Sequence, residues 1–291
     1  AGQMRGLTAA LGRRIDIEVH TIDIRSRFRG CVDRLLHRFG EGADLPDPDL
    51  ILAAGHRTHP ALLAARRARG GRSVVLMKPS MPLRWFDLVI TPEHDAPPSA
   101  DNVITTRGAL NEMQPDGEHR ADLGLILLGG PSDHHGWDEA VLVEQVHAIV
   151  EADESCHWTL TTSRRTPAST VAAVSALNHA RLTVTPFAQT GPGWVAGQLA
   201  ASGRAWVTED SVSMVYEALS SGAAVGVLPV PRRKTGRVVA GLDRLMAEGL
   251  VTSYADWRAG SSLRAAEVPL READRCAEAI LSRGWLDPAC P

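Results

Sequence analysis

Short apolar runs recur along this chain, and most are followed by a polar turn and then a stretch with helical period. The most informative copy runs from Ala205 to Gly222 and on through Leu228. Its first residues are apolar, as a buried parallel strand requires. It turns polar at Thr208, Glu209, Asp210 and Ser211, continues with helical period, and closes at Gly222, a residue suited to the position after a helix end. A second apolar run follows. At about 100° per residue, Asp210, Ser213 and Glu217 share one helical face, and Val212, Val215 and Leu219 share the opposite one. The pattern predicts strand, helix, strand, with an acid–hydroxyl loop where open α/β sheets bind ligands.

The same rhythm covers the rest of the chain. Residues 3–11 read as a helix ended by Gly12, and residues 15–19 as a strand. A βαβ unit would call for one more strand before Ala1, either missing from this numbering or supplied otherwise. Residues 27–39 read as a basic helix, either solvated or facing a membrane or acceptor. Strands are expected at 50–54, 73–77, 88–91 and 103–105, with a helix at 60–69. Pro115, Asp116 and Gly117 mark a linker between residues 111 and 123. A second series then begins: strands at 125–128, 158–161 and 182–185, helices at 137–151, 169–179 and 194–201, the central unit, and helices at 237–248 and 270–282. Strands alternating with helices or loops imply mostly parallel sheets in an α/β fold.

Composition narrows the classes. The 291 residues are 44% hydrophobic, enough for a sizeable core, and carry a net charge of −3. That balance gives no basic field for nucleic acid. No apolar run reaches the roughly 18 residues of a membrane span, and no secretory signal pattern opens the chain. Cys31, Cys156, Cys276 and Cys290 lack zinc-type spacing, so reduced thiols in a cytoplasmic protein are expected.

Four loops can carry chemistry. Gly129 to Gly136 lies between a strand and a helix; its glycines permit close approach of backbone to a ligand, but it is neither GxGxxG nor a P-loop. Ser163, Arg164 and Arg165 follow another strand. Two guanidinium groups there suit a diphosphate, and an exposed basic turn is the alternative. At the central loop, Ser211 and Ser213 can receive phosphate at a helix start, with Glu217 on ribose hydroxyls; or Asp210 is an N-cap and Glu217 is solvated. Glu93, His94 and Asp95 follow a strand of the first half. His94 can act near neutral pH, with Asp95 orienting it or acting as the base, unless the loop is only held by its own bonds. Arg107 and Asn111 can line the same cleft. Asp47-Pro-Asp49 spells a D-x-D, a manganese-binding pattern, but it sits in a proline-rich turn before a strand and is read as a turn only. His56, His59, His134 and His135 lack a third ligand at useful spacing, so no metal is expected. No G-x-S-x-G elbow is present.

Several of these strings resemble one family in its own order: residues 92–95, 106–111, 128–130, 162–167, and 208–214 with Glu217 and Ala218. The chain resembles the elongated-mitochondria fission-factor family over nearly its whole length. The plant member gave the name, and bacterial members look like glycosyltransferases. Residues 2–7 match a segment that the family places after a strand and glycine turn. Where the family often has Asn-Pro-Tyr, this chain has Gly191-Pro192-Gly193. The resemblance implies a GT-B-like architecture of two Rossmann-like domains facing across a cleft, here 1–117 and 118–291, with the last helix, about 270–282, crossing back. The second domain would take a nucleotide-sugar donor through Gly129, Gly130, Ser163, Arg164, Arg165, Thr208, Glu209, Asp210, Ser211, Ser213 and Glu217. The first would take an acceptor near Gly2, Gln3, Arg107 and Asn111, with His94 or Asp95 as base. No cofactor or metal is implied. A glycolipid or lipopolysaccharide-type acceptor at the inner membrane surface is. A non-hydrolysing nucleotide-sugar 2-epimerase and a non-enzymatic interaction protein are the other readings.

Overall fold

The computed structural model describes residues 2–24, 30, 33 and 38–286, with residue 238 described in its backbone only. Most of the basic segment 27–39 lies outside the described residues, as do Cys31 and Cys290. The chain divides into one unit of residues 1–112 and 271–291 and a second of 113–270. The division thus falls five residues before the expected boundary, and the terminal segment belongs with the first unit.

In the first unit, strands β1 (Leu50–Ala54), β2 (Arg72–Leu76), β3 (Leu88–Pro92) and β4 (Val103–Thr106) form a parallel sheet in the order 1-2-3-4. Helix α1 (Gly2–Gly12) buries Leu7, Ala10 and Leu11, the i, i+3, i+4 spacing of one helical face. They pack with Val74, Leu76, Leu88 and Ile90 and with Cys276, Ala277 and Ile280 from near the chain's end. Each fully buried leucine contributes about 1.5–3 kcal/mol. Helix α2 (His59–Arg69) supplies Leu62 and Leu63 to a separate core with Ala53, Val75 and Val89. Val75 lies between Val74 and Leu76 in β2, so alternate residues serve opposite faces. Residues 15–19 form no strand. They alternate apolar with charged side chains, but among the described residues no neighbouring strand hydrogen-bonds to them, and Val19 is exposed.

The second unit holds β5 (Arg120–Leu127), β6 (His157–Thr161), β7 (Leu182–Thr185), β8 (Ser202–Thr208), β9 (Ala224–Leu228) and β10 (Thr252–Ser253). All pair in parallel, in the order 10-9-8-5-6-7. The helices are α3 (Glu139–Ala152), α4 (Ala168–Ser175), α5 (Trp194–Ala201), α6 (Val212–Ser221), α7 (Arg237–Ala247) and α8 (Tyr254–Arg258). Leu125 and Leu127 join one core with α6 and α7, whereas Ile126 and Leu128 join another with α3. Both faces are covered, which is why the strands read as continuous apolar runs. Helix α9 (Glu272–Leu281) belongs to the first unit. Its Asp274 accepts from Arg13 and Arg14 of the α1 segment at 2.9 and 2.6 Å.

Cys156 and Cys276 are free and buried. Burial pushes their thiols up to about 11 and about 12, so both stay protonated near neutral pH. Among the described residues, no helix is long and apolar enough to cross a membrane.

Candidate functional site

Sheet order fixes the place of the site in the second unit. From β5 the chain winds outward through β6 and β7, then returns to β8 on the other side of β5. The reversal opens a crevice beyond the carboxyl ends of β5 and β8, where open α/β sheets bind ligands. Leu127 pairs with Val207, so Gly129 and residues 208–211 leave the sheet side by side. The loop after β6 joins them from the other flank.

These three loops are bonded to one another. Gly129 N donates to Thr208 Oγ1 at 2.7 Å, and Gly130 N donates to Asp210 Oδ2 at 3.0 Å. Ser163 Oγ donates to Gly129 O at 2.8 Å. The Arg165 guanidinium donates to Asp210 Oδ2 at 2.8 Å, to Gly130 O at 2.5 Å and to Pro131 O at 3.2 Å. Arg165 is therefore a brace across the crevice. Asp210 is its buried counter-charge and does not cap α6; Ser211 holds the cap position, without a side-chain cap bond. The second oxygen of Asp210, Oδ1, is buried and finds no partner among the described residues.

The glycine pair has an internal reason. A Cβ on Gly129 would lie 2.2 Å from Asp210 Oδ2, and one on Gly130 would lie 2.3 Å from Arg165 O. The space beside both glycines is taken by the brace itself. Thr208 and Glu209 are likewise engaged inside the protein. Glu209, 4% exposed, accepts from Val230 N at 3.1 Å and from Arg232 at 2.7 Å. These bonds, joined by Asp243, hold the Arg232 guanidinium charged well above its usual range.

What faces outward is a different subset. Ser213 is exposed and Glu217 half-buried, one turn apart on α6. Arg164 is exposed and lies over the Phe187 ring at 5.7 Å. Phe187 is 43% exposed and its N–H donates to Thr162 Oγ1 at 3.0 Å. Sequence reasoning missed Phe187. Its only signal was a large apolar residue in a loop otherwise rich in proline and glycine.

In the first unit, Glu93, His94 and Asp95 form a single 3-10 turn after β3, closed by Ala96 in the left-handed region at φ 46°. Lys78 Nζ donates to Asp95 O at 3.1 Å. Gln3 Nε2 donates to Met77 Sδ at 2.8 Å; Met77, just past β2, has φ 73°. Such backbone, unusual for a non-glycine residue, clusters at functional sites. Arg107 N donates to Glu272 Oε2 at 2.9 Å. The Asn111 backbone lies so close to Gly6 that a Cβ there would approach within 2.6 Å. Gly2 is exposed at the first turn of α1. Gln3, His94, Asp95 and Arg107 thus gather around the carboxyl ends of β2, β3 and β4, while the Asn111 backbone packs on α1. No group of three or more metal-ligating side chains occurs among the described residues. Asp47 pairs with Arg69 at 2.6 Å.

The sequence profile of the mitochondrial fission ELM1 family matches residues 1–284. The chain belongs to the mitochondrial fission ELM1 family. No curated protein matches the sequence. Among solved structures, a UDP-N-acetylglucosamine 2-epimerase is 17% identical, with a TM-score of 0.56 over 95% of this chain and 84% of its own. A Listeria monocytogenes protein provisionally named as the same enzyme is 15% identical, with a TM-score of 0.58 over 92% and 82%. The Neisseria meningitidis UDP-GlcNAc 2-epimerase, solved with UDP-GlcNAc, is 14% identical, with a TM-score of 0.50 over 97% and 89%. At these identities the likeness is one of fold: an ELM1-family chain made of two Rossmann-like α/β units with parallel sheets, as in GT-B proteins.

Proposed function

We propose that this chain is a glycosyltransferase that moves a sugar from a nucleotide-activated donor to a cell-envelope or lipopolysaccharide-type acceptor, without a bound metal. The observation that carries the reading is the switch point of the second unit, where the start of α6 and the loops after β5 and β6 converge. The donor diphosphate lies at the start of α6, near Ser211 and Ser213, where the helix dipole and the N–H groups of the first turn favour anions. Glu217 takes ribose hydroxyls. Arg164 and Phe187 offer the nucleobase a cation and an aromatic face. Arg165 contributes by holding the loops, through its bonds to Asp210 and two carbonyls.

In the first unit, His94 or Asp95 takes the proton of the acceptor hydroxyl. The acceptor oxygen then bonds to the anomeric carbon, the bond from that carbon to the phosphate oxygen breaks, and the nucleoside diphosphate leaves with the bonding pair. Gln3 and Arg107 hold the acceptor in this reading, with Gly2 and Asn111 beside them. A lipid-linked acceptor would bring the protein to the inner membrane surface from the cytoplasm.

The epimerase reading draws on the names of the three structural relatives, one of which was solved with UDP-GlcNAc. It needs no acceptor. Incubation with UDP-GlcNAc and other nucleotide sugars, followed by NMR of the sugar and by nucleotide release, separates the two. Release that requires added glycolipid supports transfer; an epimer formed without acceptor overturns transfer in favour of epimerisation. If calorimetry finds no nucleotide binding, and Phe187→Ala and Glu217→Ala change nothing, both enzymatic readings fall and an interaction protein is left.

A further inference from the structure

A cavity of about 490 Å³ opens in the second unit, walled by the end of α3, by residues of β6 and β8, and by the end of α8 and the segment after it. None of its lining residues belongs to the loops after β5, β6 and β8 described above. The volume lies within the range of small-molecule sites, about 300–1,000 Å³.

Three features of its lining point to a ligand. First, Trp158 is 2% exposed, and its indole Nε1 is buried with no acceptor among the described residues. A buried donor left unpaired is costly; the nitrogen has no surface open to the cavity, so a small shift of the lining that admits an acceptor atom would satisfy it. Second, the charges are unequal. Arg204 is ion-paired with Asp153, whose carboxyl is lowered to about 2 by Ser155 first and then by Arg204. Arg258, exposed at the rim, has no ion pair among the described residues. Two guanidinium groups against one carboxylate leave a single positive charge. Third, Trp257 is half-buried and fixed by ring contacts, 5.3 Å from Trp206 and 5.4 Å from Tyr254. It presents a rigid apolar wall beside those donors.

We infer that this cavity is a second ligand site, taking a singly charged organic anion with an apolar ring. The anionic group pairs with Arg258, an acceptor oxygen meets the Trp158 indole N–H, and the ring lies against Trp257. The inference stands apart from the donor site, so either can fail alone.

The probe is anilinonaphthalene sulfonate, a singly charged aromatic anion, titrated into the full chain with excitation of tryptophan and emission read from the probe. The expected result is one saturable site that saturating UDP does not displace. Arg258→Ala, an exposed change that leaves the fold intact, should weaken it about tenfold or more, the scale of a charged hydrogen bond. Arg258→Lys should recover most of that loss. Trp158→Phe should weaken it several-fold. The uncharged analogue phenylnaphthylamine should bind about tenfold more weakly than the sulfonate. No saturable binding, displacement by UDP, or unchanged affinity in Arg258→Ala would each overturn the inference.

Discussion

The brace between Arg165 and Asp210 makes a quantitative prediction, because its two ends differ in exposure. The Asp210 side chain has no exposed surface, while 42% of the Arg165 side chain is exposed. Arg165→Ala leaves a buried carboxylate with the Gly130 N–H as its remaining partner. Breaking a buried pair from one side costs about 3–5 kcal/mol. The low end, about 3, applies here because water can enter where the exposed half of the arginine was. Asp210→Ala removes a charged hydrogen bond from Gly130 N, worth about 1.5–3 kcal/mol, but also removes the unpartnered Oδ1. The arginine keeps its two carbonyl acceptors and solvent. A net loss of about 2 kcal/mol is expected.

In the double variant the carboxylate is gone, and losing Arg165 forfeits only its carbonyl bonds, about 1 kcal/mol. The double variant should therefore lose about 3 kcal/mol where the singles add to about 5, a coupling of about 2 kcal/mol. Urea unfolding followed by tryptophan fluorescence measures this, since five of the seven tryptophans lie in the second unit. At about 2–4 °C per kcal/mol, Asp210→Ala alone should lower Tm by about 4–8 °C. Additive single variants, with coupling under about 0.5 kcal/mol, would mean that the brace does not form in solution.

Three further outcomes are expected. Asp153 has a folded-state value of about 2 against an ordinary 3.8, so its contribution is present above about pH 4 and is lost as pH falls from there toward 2; Asp153→Asn should flatten the Tm–pH curve in that window. His94→Ala or Asp95→Ala should lower kcat of a transfer assay about 10²–10⁴-fold with nucleotide affinity nearly unchanged, and a nucleotide Kd that moves while kcat stays would move the search to Arg107 and Asn111. Turnover should survive EDTA; loss restored by manganese or magnesium would bring Asp47 and Asp49 back into consideration.

The elements were legible because apolar runs and glycine or proline punctuation are local properties. The strands at 50–54, 88–91 and 182–185 and the helix closed by Gly222 needed only their own residues to be read. Residues 15–19 show the limit: alternation favours a strand, but a strand exists only where a neighbour pairs with it. The short β10 and α8 were missed because two and five residues are too few to show a period. The site was legible as a set of loops, since each follows an apolar run. Which side chains meet was not. Arg165 and Asp210 lie 45 residues apart, and their contact depends on β8 and β6 flanking β5, an order that no periodicity encodes. Hence the two arginines read alike, when one is bonded to Asp210 and two carbonyls and the other lies over Phe187.

The same dependence on neighbours governs two glycines within strands, where glycine is unfavourable by composition alone. Gly124 pairs in register with Trp158, and Gly226 with Trp206. A Cβ on Gly124 would lie 2.3 Å from the Trp158 ring, and one on Gly226 would lie 2.4 Å from the Trp206 ring. Each indole therefore lies across the adjacent strand, where only glycine leaves room, and covers backbone that the missing side chain would have exposed. Replacing either partner alone creates an overlap or a void. These pairs carry sheet stability, and they also build a wall: Trp158 and Trp206 are among the residues lining the 490 Å³ cavity. A residue choice that reads as a weakness in one strand is, across the sheet, what seats a tryptophan in the wall of that cavity.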